Sequence, residues 1–264
     1  MIMLHDRDRT NHMLYRFEHM TDSVARRRVF DRFLRTARVE HQHILKIESV
    51  GYDDTGRLCV VTAYPGNQEG LVTLRDLIDA RGGRLEMAEA TRLMTQLLET
   101  CVHASSKEVV HGAFTLDELL VDRHGCTLVE LYGLRHALHQ HGSVLDARSE
   151  QTRSVIEIGY YMTTGMHFGE PGSRGALPKD TKLSKKQERN WDAWYSMAMD
   201  PLQGFENAQQ ALDTMPTDAE QVARLSELKP LSTPRPASKE PGVASRRSGV
   251  VFGRFLRSNE SRNR

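Results

Sequence analysis

Between Val109 and Leu134 the chain reads VVHGAFTLDELLVDRHGCTLVELYGL. Within that stretch His111, Asp117, Glu118 and Glu130 are of the types that can move a proton or hold a divalent cation. A carboxylate beside a turn can take a proton from a hydroxyl, and carboxyl oxygens aimed at one point can hold Mg²⁺ against phosphates. The spacing predicts a histidine-containing loop followed by two short strands, ELLVD and TLVEL, joined by a turn at Arg123–Gly125. On the second strand, period-two alternation turns Glu130 outward unless a local slip brings it in. Ala113, two residues after the histidine, can do no chemistry.

Other side chains invite weaker readings. His136, His139 and His141 in LRHALHQHG are of a metal-ligating type, but with no cysteine or carboxylate partner they read as solvated loop residues. His41 and His43 read the same way. Cys59, Cys101 and Cys126 are odd in number and form no CxxC. That excludes a disulfide framework and a structural zinc site and indicates a reducing compartment.

These residues need elements to position them, and 264 residues at 39% apolar can bury one substantial core or two lobes sharing a seam. Met13–Met20 reads as a strand. DSVARRRVFDRFLRTARV is a helix, capped by Asp22 or Ser23, with Val24, Val29, Phe30, Phe33, Leu34 and Ala37 along one stripe. HILKIESVGYDDTGRLCVVTAY is a hairpin turning at Asp53–Gly56. TLRDLIDARGG is a short helix ending at Gly82, and MAEATRLMTQLLETCVHAS a long amphipathic one. SVIEIGYYMTTG is apolar nearly all round, as a buried helix would be. ERNWDAWYSMAMD and ENAQQALDTM are further helices, and TDAEQVARLSELK opens on a capping box, Thr217 with Glu220.

The net charge of +1 gives no global pull toward nucleic acid. Charge is nevertheless uneven. Residues 231–264 hold eight Lys/Arg against two Glu, a net of +6, which leaves −5 for residues 1–230. That basic segment includes STPRPASKEPG and is expected to be disordered. Its RRSGVVFGRFLR interleaves arginines with apolar residues, as a peripheral contact with a membrane or an acidic partner would require, or it is a merely soluble basic tail. MIMLHDRDRT has no signal-peptide core, and no apolar run reaches the about 20 residues of a membrane helix. The expected location is cytoplasmic.

The order of elements, with a short histidine loop after the long helix, resembles the eukaryotic-type Ser/Thr protein kinases of bacteria from about Leu4 to Met215. HDRDRTNHMLYRF resembles the second and third strands of the small lobe, and RFLRTARVEHQHILKI the C helix and entry to the fourth strand. RLCVVTAYPGNQEGLVTLRDLI resembles the fifth strand, hinge and D helix. CVHASSKEVVHGAFTLDELLVD resembles the E helix and catalytic loop, and SVIEIGYYMTTGMHF the buried F helix. The resemblance implies an α+β bilobal fold: a truncated kinase-like N-lobe over residues 1–64, a helical C-lobe over 65–229 and a basic tail over 230–264.

It also implies which positions should carry chemistry, and most do not. His111 is kept, but Ala113 stands at the catalytic Asp, Thr115 at the loop Lys and Glu118 at the metal-binding Asn. The D-F-G triplet is Leu131-Tyr132-Gly133. Arg16 stands at the strand Lys, with Thr36 as its C-helix partner, and Leu14 where a small residue roofs the adenine. Thr62, Tyr64 and Leu120 complete the degenerate nucleotide pocket. The Gly-rich loop has no counterpart, since the chain begins near the second strand. The expectation is a pseudokinase acting as a regulatory or scaffolding module on active kinases or their substrates, with no cofactor beyond weak metal-independent ATP binding. The alternative is unconventional ATP-dependent kinase or nucleotidyl-transfer chemistry using Glu118 or Glu130.

Overall fold

The computed structural model describes residues 2–4, 11–65, 71–138, 144–169, 177, 183–200 and 204–216, all within the compact unit Met1–Leu231. The basic tail, the Thr217 capping box, His139 and His141 lie outside the described residues.

The N-terminal region is one antiparallel sheet with one helix. Strands β1 (Ile2–Leu4), β2 (Asn11–Arg16), β3 (Ile47–Tyr52) and β4 (Leu58–Ala63) lie in the order β1-β2-β4-β3. The turn between β3 and β4 forms where Asp53 Oδ1 accepts from the backbone N–H of Thr55 and Arg57, each at 2.9 Å. Between β2 and β3 runs α1 (Ser23–Thr36), capped by Asp22, whose carboxylate accepts from Val24 N. The helix buries Val29, Phe33 and Thr36, one line at i, i+4 and i+7. Val24 and Leu34, expected on the buried stripe, lie off that line and are 64% and 38% exposed. The strand expected over Met13–Met20 starts earlier and ends at Arg16.

The remainder is mainly helical. A small antiparallel sheet of β5 (Val72–Thr73), β6 (Leu119–Val121) and β7 (Thr127–Val129) lies with α2 (Leu74–Ala80). Helix α3 (Met87–Ser106) fully buries Leu93, Met94, Leu97, Leu98 and Cys101. After α4 (Leu134–Leu138) comes α5 (Val144–Thr164), ten residues longer at its start than the apolar run beginning at Ser154 had indicated. It packs on α3 at Gly159, where an added Cβ would stand 1.8 Å from Met94 Sδ. Helix α6 (Lys185–Met199) begins at a Ser184–Gln187 capping box and presents Trp191, Trp194 and Tyr195 to the core. Helix α7 (Ala208–Thr214) closes the described chain. A small sheet-and-helix region followed by a mainly α-helical one is the arrangement of a bilobal kinase-like fold. Among the described residues no helix is long and apolar enough to cross a membrane.

Candidate functional site

The histidine loop is held from beneath by α5. Gln151 Oε1 accepts from His111 N at 3.0 Å, and Ser154 Oγ accepts from Phe114 N at 2.9 Å. Both polar residues are buried. In the sequence their only signal is a polar pair at i, i+3 just before the apolar Val155 and Ile156. His111 stacks on Phe114 with ring centroids 4.4 Å apart and lies against buried Tyr132. Its Nδ1 accepts from Gly133 N at 2.9 Å, which makes Nδ1 the unprotonated nitrogen of a neutral ring. The imidazole therefore ties the loop to the Leu131-Tyr132-Gly133 turn and acts as a strut.

Each of the three carboxylates is already engaged. Glu118 Oε1 accepts from Thr115 N at 2.5 Å and lies 3.4 Å from His111 Nε2. That second contact lacks hydrogen-bond geometry, since Nε2 is a buried nitrogen with no partner; it is an electrostatic approach only. Asp117 accepts twice from Arg75, at 2.6 and 3.0 Å, and the guanidinium holds its carboxyl below the usual range. Glu130 accepts from the hydroxyl of Tyr15, so it is turned toward β2 and not to solvent as strand alternation had suggested. Burial first, and then Glu130, drives the Tyr15 hydroxyl well above the ordinary tyrosine value. Ala113 is half-buried. Among the described residues no group of three or more His, Cys, Asp or Glu is placed to hold a metal ion.

Leu131, where the kinase resemblance leads one to expect a metal-binding Asp, is 7% exposed and joins the apolar cluster of Val29, Phe33, Ile47, Leu58 and Val60. Its φ of +46° is left-handed, a conformation that costs most L-residues about 1–2 kcal/mol and that Asp and Asn accept more readily. The backbone thus keeps a turn suited to a short polar side chain while the residue present is Leu. Two residues on, Gly133 has φ +85° and lies so close to α1 that an added Cβ would come within 2.8 Å of Thr36 Oγ1.

The small-region positions fall on two faces of the sheet. In β2 and β4, Met13 pairs with Thr62 and Tyr15 with Val60, while Leu14 pairs with Val61 and Arg16 with Cys59. Tyr15, Val60 and Thr62 face α1 and the loop, whereas Arg16 binds Asp53 and Thr55 on the opposite face. The residue aimed where a strand Lys was expected is therefore Tyr15, not Arg16, and Leu14 is turned away with Arg16. A one-residue slip exchanges the two faces completely. Thr62 is fully buried, its hydroxyl donating to Ala63 O. Tyr64 is half-buried and its backbone N–H bonds Asn11 O. Leu120 is buried, opposite Leu128.

No family model matches the chain. It is 32% identical over 97 residues to a probable serine/threonine-protein kinase, MARK-B, of Dictyostelium discoideum, covering 36% of the chain and 13% of the relative. It is 26% identical over 150 residues to the serine/threonine-protein kinase PrkC of Bacillus subtilis, covering 57% of the chain and 21% of the relative. The aligned part is thus a small fraction of either kinase's length. Set beside the bilobal fold and the His111 loop, these partial likenesses point to distant homology with the protein-kinase superfamily.

Proposed function

We propose that the chain is a catalytically inactive kinase-like module that acts by binding another protein, an active kinase or a kinase substrate, in a regulatory or scaffolding role. The observation that carries this reading is Leu131, an isobutyl group in an apolar cluster at the position of the main metal carboxylate. Its companion Glu118 is bound to Thr115 N, so the donor set does not suit Mg²⁺. Ala113 leaves the substrate hydroxyl without a base, a loss of roughly 10²–10⁴-fold by itself. Phosphoryl transfer depends almost wholly on positioning and electrostatics, so losing metal and base together removes its main supports.

Calorimetric titration with ATP, with and without Mg²⁺, followed by a phosphotransfer assay on a generic substrate, tests the reading. The expected outcome is no transfer and no Mg²⁺-dependent gain in affinity. Binding that strengthens with Mg²⁺ and is accompanied by transfer would overturn it in favour of chemistry at Glu118 or Glu130.

A further inference from the structure

The arginines of α1 are too many for the helix's own needs. Its Asp22 cap is followed by Arg26, Arg27, Arg28, Arg32 and Arg35, with Asp31 as the sole acid between Ser23 and Thr36. Arg26 lies over the Tyr52 ring, its guanidinium carbon 5.5 Å from the centroid, and Arg27 is 3.9 Å from Asp31. Arg28, Arg32 and Arg35, at i, i+4 and i+7, share one face, and like charges so spaced repel. Arg32 is half-buried, and its guanidinium donates to the carbonyl of His136. Burial, and then the charges of Arg28 and Arg35, hold Arg32 below the usual guanidinium range. Arg28 and Arg35 are exposed and have no carboxylate partner among the described residues. The three lie on one face of α1, which also carries Arg27, Asp31 and the exposed Val24.

We propose that this face of α1 is a docking surface for a phosphorylated segment of a protein partner. The surface rests on reading the chain as an interaction module and names the chemistry of what it would bind. With Asp31 answered by Arg27, the local charge is that of Arg28, Arg32 and Arg35. A carboxylate matches one guanidinium fork, whereas a phosphate monoester brings a charge of about −1.5 to −2 and three acceptor oxygens. It can therefore be shared by guanidinium groups that would otherwise repel. Val24, one turn before Arg28, offers an apolar contact to a residue flanking the phosphate. Through Arg32 and His136 the surface is joined to the segment that follows Leu131-Tyr132-Gly133.

The test is retention by the full chain of a degenerate phosphoserine peptide library against the same library unphosphorylated, with phosphatidylserine vesicles and single-stranded RNA as rival polyanions. Selective retention of the phosphorylated library is expected, with affinity falling about tenfold for each arginine removed in Arg28→Ala and Arg35→Ala. The Arg28→Lys/Arg35→Lys chain should recover only part of it. The double alanine variant should melt no lower than the parent, because removing like charges relieves repulsion. Equal retention of the two libraries, undiminished binding by the alanine variant, or stronger binding to vesicles or RNA would each overturn the proposal. ATP turnover by a chain that still selects phosphopeptides would overturn the inactive reading and leave this surface standing.

Discussion

At Leu131 two energies oppose each other. Replacing it by Asp would relieve about 1–2 kcal/mol of left-handed strain. It would also remove a buried Leu side chain, worth about 1.5–3 kcal/mol, and set a carboxyl among Val29, Phe33 and Val60 with the further cost of desolvation. Desolvation decides the sign. Leu131→Asp should be destabilised by about 3 kcal/mol in denaturant unfolding and should not gain Mg²⁺-dependent ATP binding in calorimetry. A stabilised variant would mean that the site accepts a carboxylate. Tyr15 offers a pH handle at the same seam. The folded chain holds the phenol proton more tightly than the unfolded chain, whose tyrosine titrates near 10.0. The contribution is therefore complete below pH 10 and lost as pH rises above it. Buried Tyr132 and Tyr195 are raised as well and add to the same alkaline loss. Stability measured by denaturant from pH 8 to 11 should fall beyond pH 10, with a shallower fall in Tyr15→Phe. That variant should also lose about 1.5–3 kcal/mol at neutral pH, the usual worth of a hydrogen bond to a charged acceptor.

Among the elements, α5 does most to shape the loop, through Gln151 and Ser154. Gln151→Leu would leave the buried His111 N–H without an acceptor, at about 1–3 kcal/mol. Arg153→Ala, which removes an exposed i,i+4 pair with Glu157, should cost only about 0.3–0.5 kcal/mol. Amide hydrogen exchange at His111 and Phe114 should quicken in the first variant and stay unchanged in the second. These polar anchors also mark the limit of what the sequence made legible. The long stripes of α1 and α3 and the DDTG turn of the hairpin announce themselves by periodicity and turn chemistry. So do β6 and β7 around Arg123–Gly125. The first half of α5 did not, because residues such as Gln151 look solvated until the loop backbone they serve is folded beside them. Strand β2 was found but its face was not: Met13, Leu14 and Tyr15 are consecutive non-charged bulky residues, so no alternation tells which points inward. That ambiguity placed Arg16 where Tyr15 stands. It also left unread the bond by which Tyr15 fixes Glu130.

Across the whole molecule, each apolar cluster includes residues from the other side of the seam. Val39 and Ile44, on the segment after α1, belong to the large helical core. Leu131 and Ala137, which follow β7, belong to the cluster under the small sheet. Backbone bonds cross as well: Leu45 N donates to Val129 O at 2.9 Å, and Val129 N to His43 O at 2.8 Å. Regions so interleaved should unfold as one cooperative unit. The two tryptophans, Trp191 and Trp194, both lie in α6, so their fluorescence reports the helical region alone, whereas far-ultraviolet circular dichroism reports both regions. In the parent chain the two thermal transitions should coincide. In Leu131→Asp the small region loses its principal apolar link across the seam, and dichroism should begin to fall before the tryptophans respond. Separate transitions in the parent chain would mean that the seam is a loose contact. Coincident ones in the variant would place the coupling in the backbone bonds around Val129.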